Sequence, residues 1–287
     1  MEPRDSLPAW TIRPLERISE YHDCEEMQRR AWNFADDLDI VPLTQMVAAH
    51  KVGGVVLGAF AEDGTMMGFC YSFLGRRTSG ELLQHSHMLA VDDRFRSAGL
   101  GAALKWAQRD AVLAQGIEWM AWTYDPLESL NACFNFSKLG VVARNYLEDL
   151  YGQTSSALHR GMPTDRLLAE WPLRGARVER RAAGVHVAYD PARLPGLPSL
   201  LHATLDAAGL PAPGSISGAD DAREVTIEIP EHIQEIKAAD PELARSWRMA
   251  TRVAFTQSFA AGYHVAECLR HDGHTYYLLR SGEPELA

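Results

Sequence analysis

Lysine is nearly missing from the chain. Only Lys51, Lys105, Lys138 and Lys237 occur, so four lysines among 28 basic residues leave 24 arginines, scattered in no basic run longer than pairs such as Arg180-Arg181. Against them stand 38 acidic residues, for a formal charge of -10 and an isoelectric point near 5.6. That field argues against broad electrostatic binding to nucleic acid or anionic lipid and mildly favours a cationic amine. Cysteine is equally sparse. Cys24, Cys70, Cys133 and Cys268 lie far apart, with no CxxC pair and no histidine at metal-ligand spacing, which predicts reduced core thiols and no metal. No apolar run approaches the roughly 18 residues of a membrane span. The start, "MEPRDSLPAW", lacks a basic flank before an apolar core, so a cytoplasmic globular protein without an anchor is expected.

What is present is a well-punctuated α/β pattern. "WTIRPLE" reads as a strand and "SEYHDCEEMQRRAW" as a helix with Ser19 as its cap. "GGVVLGAFAEDGTMMGFCYSFLGR" reads as two strands joined at Asp63-Gly64, a dipeptide suited to a hairpin turn. The strand "LLQHSHMLAV" follows. Then Leu100, Ala103, Leu104, Ala107, Ala111 and Ala114 recur at helical spacing, and this amphipathic helix closes at Gln115-Gly116. "IEWMAWTYDP" is a strand, "SLNACFNFSKLG" a short helix ending at Gly140, and "VVARNYLEDLY" and "DRLLAEWPL" are strands. Hairpins first and strand-helix alternation after predict a mixed sheet with helices on it.

Between the strand ending "LAV" and the amphipathic helix stands Arg96-Ser97-Ala98-Gly99-Leu100-Gly101. The first N–H groups of a helix have no internal partner and face outward with the positive end of the helix dipole. Small residues let an anion reach them, and Arg94 and Arg96 can add charge-assisted hydrogen bonds. The chain has no G-x4-G-K-[ST], and its glycines do not follow G-x-G-x-x-G, which excludes the two familiar nucleotide loops.

R-x-x-G-x-G after a strand ending in "LAV", within this order of elements from Thr11 to Leu173, resembles the pyrophosphate-binding motif of the GNAT superfamily of acyl-CoA-dependent N-acyltransferases. "HSHMLAV", "WTYDPLESLNACFN" and "GMPTDRLL" look like a bacterial branch of it. The resemblance implies a GNAT-type mixed, mostly antiparallel sheet flanked by helices, with acetyl-CoA or another acyl-CoA as co-substrate. It further implies that Leu89, Ala90 and Val91 offer strand amides to the pantetheine arm and acyl carbonyl. Arg96, Ser97, Ala98, Gly99, Leu100, Gly101 and Ala102 would wrap the pyrophosphate. Asn131 would either reach the pantetheine or serve at a helix start.

Acyl transfer to an amine needs the neutral amine, so a general base helps. His85 and His87 alternate on the strand leading to "LAV" and so share a face; His87 is nearer the expected acyl group. Each reads equally as a structural histidine. Asp125 is a second candidate base, though "DP" also suits a simple turn. The superfamily often protonates the leaving thiolate with a tyrosine before the helix-ending glycine. Here that residue is Phe136, which leaves the acid open among Tyr124, Tyr146 and unassisted departure. Cys133, on an apolar helix with no histidine in legible relation, reads as no nucleophile.

The texture changes near Gly175. Composition divides the chain into a GNAT-like segment (1–175), a Pro/Gly/Ala-rich connection (176–221) and a small strand-helix-strand-strand region (222–287). In that last region Asp240 caps a helix whose buried side is Leu243, Trp247, Ala250 and Ala254. Helix, Phe259, Gly262 and strand echo helix, Phe136, Gly140 and strand, as half of a repeated fold would. With no second R-x-x-G-x-G, this region is not expected to bind a second coenzyme A; covering the acceptor cleft or joining a homodimer are its expected uses. An N-acetyltransferase acting on a small-molecule or peptide amine is the function expected, with a catalytically silent CoA-binding protein as the alternative.

Overall fold

The computed structural model describes residues 9–34, 36–96, 99–152, 161–185, 189–218 and 222–284. It is a mixed α/β protein with a mostly antiparallel sheet flanked by helices. Two compact units divide at Ala121 and Trp122, one built from the chain before that point and one from the chain after it.

The first unit runs β1 (Trp10–Pro14), α1 (Ile18–Trp32), α2 (Leu43–Lys51), β2 (Val55–Ala61), β3 (Met66–Arg76), β4 (Leu82–Val91), α3 (Leu100–Ala114) and the start of β5 (Trp119–Tyr124). Strands β1 to β4 pair antiparallel in sequence order, and β5 joins β4 in parallel. The hairpin between β2 and β3 turns where the sequence places it: Gly64 has φ +85°, and Asp63 Oδ1 accepts the Thr65 N–H at 2.9 Å. Alternation along β3 sorts its two faces. Phe69 and Tyr71 pack with Tyr21, Met27 and Met46 of α1 and α2. On the other face a Cβ on Gly68 would come within 3.1 Å of Leu104, so the glycine lets α3 lie close to the sheet. The start of α1 differs from expectation. Arg17, not Ser19, is the N-cap residue, and Glu20, 1% exposed, accepts the N–H groups of Glu16 (2.8 Å) and Arg17 (3.3 Å). Arg13 binds the same carboxylate at 2.7 Å and holds its pKa well below the ordinary range. A carboxylate on two backbone donors and a guanidinium satisfies the helix start better than a hydroxyl.

The second unit continues with α4 (Ser129–Cys133), a π-helical turn (Phe134–Leu139), β6 (Val142–Leu147), β7 (Arg166–Pro172), α5 (Ala176–Ala182), a 3-10 turn (Pro191–Gly196), β8 (Ser199–Leu201), β9 (Ala203–Leu205), β10 (Pro211–Pro213), β11 (Glu224–Ile229), α6 (Ile233–Ala239), α7 (Pro241–Ala260), β12 (Tyr263–His271) and β13 (His274–Ser281). Its strands lie in the order β7-β6-β12-β13-β11-β8, all antiparallel except β11 with β8. Asp240 caps α7 as expected, accepting the N–H groups of Glu242 and Leu243, both at 3.0 Å. The buried stripe of α7 is Ala244, Trp247, Arg248, Thr251, Ala254, Phe255 and Ser258, whereas Leu243 and Ala250 are only half-buried. The stretch 191–218 is less loose than its composition suggests. Leu194, Leu200 and Leu201 are buried, Ser199 pairs opposite Thr226, and Trp247 Nε1 donates to the Pro211 carbonyl at 2.8 Å. The compact units therefore do not follow the changes of texture at residues 175 and 221. Ala143 of β6 pairs opposite Val265 of β12, which ties residues after Trp122 to the end of the chain. Among the described residues no helix is long and apolar enough to cross a membrane.

Candidate functional site

In the first unit the end of β4 meets the start of α3. β4 carries a bulge opposite Tyr71 and Ser72: Met88 pairs with Tyr71 and Ser86 with Ser72, leaving His87 as the extra residue. The ladder to β5 covers Gln84 and His85 opposite Met120 and Ala121, while the ladder to β3 runs on to Val91 opposite Gly68. The bulge thus falls just past the β5 ladder and changes which side chains face α3. Gly99, the N-cap of α3, has φ +82° and ψ -1°, a left-handed conformation that disfavours any residue with a Cβ. The first intrahelical bond runs from Ala103 N–H to the Gly99 carbonyl at 3.0 Å, so Leu100, Gly101 and Ala102 contribute first-turn amides that the helix itself does not use. A Cβ on Gly99 would meet nothing within 4 Å, and one on Gly101 only Val91 Cγ2 at 3.9 Å. Neither glycine's bare Cα is crowded by a described neighbour, an arrangement that fits the approach of a diphosphate. Ser97 and Ala98 lie outside the described residues. The two arginines are engaged rather than free: Arg94 bonds Asp92 at 2.9 and 3.1 Å, and Arg96 pairs with Asp93 at 2.6 Å. A cavity of about 120 Å³ adjoins, bounded by Met27, Arg30, Val91 and Asp92 among others.

His85 and His87 do share a face. Their rings lie 5.9 Å apart, with Phe73 5.1 Å from the first and 5.7 Å from the second. Burial lowers the pKa of both, His85 to about 4, with His87 and Lys105 adding repulsion there. Both rings are therefore neutral near pH 7, and His87 is the more exposed of the two. On the opposite face lies a group the pattern gave no hint of. Lys105 is 3% exposed, donates to Ser86 Oγ at 2.8 Å and Gln108 Oε1 at 3.3 Å, and is pushed down to about 7 by burial.

The remaining candidates belong to the second unit. Asp125 is buried and forms an ion pair with Arg248 at 2.5 Å, with Arg166 at 3.8 Å; its Oδ1 accepts the Leu127 N–H at 2.9 Å. Two cations and a turn amide make it a structural carboxylate, which disfavours it as a base. Tyr124 is 3% exposed, its ring edge-on to Phe136 at 6.3 Å, and burial raises its pKa well above the phenol value. Tyr146 donates to Asp165 at 2.8 Å, and Arg252 binds that carboxylate at 2.8 Å. Asn131 is exposed in α4, accepting from Asn135 at 3.4 Å. Phe136 is fully buried and edge-on to Tyr277 at 5.9 Å. Cys133 lies 3.3 Å from Cys268, a proximity hidden by their separation in sequence; both are free thiols. The hydrogen bond from Cys268 and the charge of Arg270 lower the Cys133 pKa. Among the described residues no group of three or more His, Cys, Asp or Glu could hold a metal ion.

No protein-family model and no curated protein matches the chain. Solved structures of GNAT-family acetyltransferases are similar in fold at low identity. Phosphinothricin acetyltransferase from Sinorhizobium meliloti, in complex with AcCoA, is 17% identical over 57% of this chain and 88% of its own, with a TM-score of 0.45. The ribosomal-protein-S18-alanine N-acetyltransferase from Escherichia coli is 14% identical over 57% and 94%, at 0.45. Ard1 from Thermoplasma volcanium is 18% identical over 56% and 96%, at 0.43.

Proposed function

We propose that the protein is an acyl-CoA-dependent N-acyltransferase that moves an acetyl group onto an amine of a small molecule or peptide by direct attack. One observation carries this reading: the bulged strand β4 ends where the glycine-capped helix α3 begins, with Val91 beside Gly101. The amides of Leu100, Gly101 and Ala102 take the diphosphate, with Arg96 sharing its guanidinium between Asp93 and the anion. Leu89, Ala90 and Val91 align the pantetheine arm and polarise the acyl carbonyl. Acetyl-CoA would supply the activated thioester: as the amine nitrogen bonds the acyl carbon, the C–S bond breaks and coenzyme A leaves as its thiolate. His87, neutral at pH 7, accepts the proton of the incoming ammonium.

A second reading, coenzyme A binding without turnover, draws support from Phe136 at the place of the usual acid and from the capture of Asp125 by Arg248. Calorimetry with coenzyme A, followed by thiol release from acetyl-CoA across a panel of amines, separates the readings. The transferase gives heat and thiol; the silent binder gives heat alone. No heat sinks both. In Gly99→Val the branched side chain must adopt φ +82°, a strain of about 1–3 kcal/mol, and coenzyme A affinity is expected to fall about tenfold or more with the helical circular dichroism retained.

A further inference from the structure

A cavity of about 740 Å³ lies wholly within the second unit. In a chain of formal charge -10 it is lined by six arginines against four carboxylates. Its floor holds two arginines on one acid. Arg177 and Arg181 of α5 reach the same oxygen of Glu267, at 3.2 and 3.0 Å, with side chains 20% and 7% exposed. The other oxygen of Glu267 accepts from Ser137 at 3.1 Å. One carboxylate therefore faces two largely buried guanidiniums, and a buried excess of positive charge is costly unless an anion completes it. The pattern recurs at the wall, where Glu224 is bonded by Arg280 at 2.9 Å with Arg193 at 3.9 Å. At the rim, Arg180 and Arg223 are exposed and pair with no carboxylate among the described residues.

The chain is shaped to bring these arginines in. Gly140, φ +78°, ends the π-helical turn, and a Cβ there would lie 3.3 Å from Cγ of both Arg177 and Arg181. Its missing side chain is what lets the two stems lie against the turn. The cavity is of a size that takes a small organic ligand, and guanidinium forks match phosphate and carboxylate oxygens in pairs.

We propose that this cavity is a binding site for a small, multiply charged anion, a phosphoanion or a polycarboxylate, separate from the acyl-transfer reading of the first unit. Calorimetry of the full chain at low salt, with pyrophosphate in one arm and citrate in the other, tests it and tells the two chemistries apart. At least one anion is expected to bind, more weakly as salt rises. Arg177→Gln, which leaves Glu267 its partner Arg181, and Arg223→Gln, at the exposed rim, are each expected to weaken binding about tenfold, the first with a lowered melting temperature but the fold retained by circular dichroism and the second with the melting temperature unchanged. Gly99→Val is expected to leave it intact. Absence of heat with both anions overturns the proposal, as does unchanged affinity in both arginine variants or a loss in Gly99→Val as large as in them.

Discussion

At the scale of single residues, Lys105 has the clearest energetic signature. An unfolded lysine keeps its proton to about pH 10.4, whereas folded Lys105 releases it near 7. Between those values the unfolded chain binds more protons, so stability rises with pH; the penalty of burying Lys105 is full below pH 7 and fades towards pH 10. Lys105→Met is expected to stabilise the protein by on the order of 2 kcal/mol at pH 6.5 and by almost nothing at pH 10, as read from urea unfolding at the two values. His87 makes the complementary prediction for activity. Its pKa is lowered by burial, so kcat/KM should fall with decreasing pH along a limb lying below pH 6.5. His87→Gln is expected to flatten that limb and to lower kcat/KM about a hundredfold, with coenzyme A affinity unchanged. A flat wild-type profile from pH 5 to 7 would remove His87 as the base.

At the scale of elements, α7 does more than cover a sheet. Arg248, 2% exposed, lies on its buried stripe against Asp125, which follows β5. Arg248→Ala takes from the buried Asp125 its nearest cation and is expected to cost about 3–5 kcal/mol; pairing it with Asp125→Asn should return a good part of that loss in the same denaturation measurement. Periodicity made the elements themselves legible. The alanine and leucine stripe marked α3, Gly116 and Gly140 marked helix ends, and Asp63-Gly64 marked a hairpin, because each is a local rule written in neighbouring residues. What joins the elements was not legible. Asp125 and Arg248 are 123 residues apart and Cys133 and Cys268 are 135 apart, and no local pattern records such pairs. The bulge at His87 was equally silent, since it arises from register against β3 and leaves no signature residue. Ser19 misled because a hydroxyl cap is the common choice, while Glu20 with Arg13 and two backbone amides is the stronger one here.

At the scale of the whole molecule, charge that looks evenly scattered in sequence is sorted by folding. Pairs such as Arg180-Arg181 are too short to mark a nucleic-acid surface, yet α5, the 3-10 turn, the approach to β11 and β13 together bring six arginines to one cavity. The region after residue 221 reads in sequence as a small region of its own. Its α7 supplies Arg248 to Asp125 and Arg252 to Asp165, both buried, so ending the chain at residue 221 is expected to leave the second unit unable to fold, seen as loss of its cooperative melting transition. Strand β12 has one more consequence. Because β12 lies along β6 with Val265 facing Ala143, a ribbon border that a neighbouring molecule could zip onto is already taken by residues 263–271 of the same polypeptide. Strand β12 is thus a guard against growing into filaments through that border.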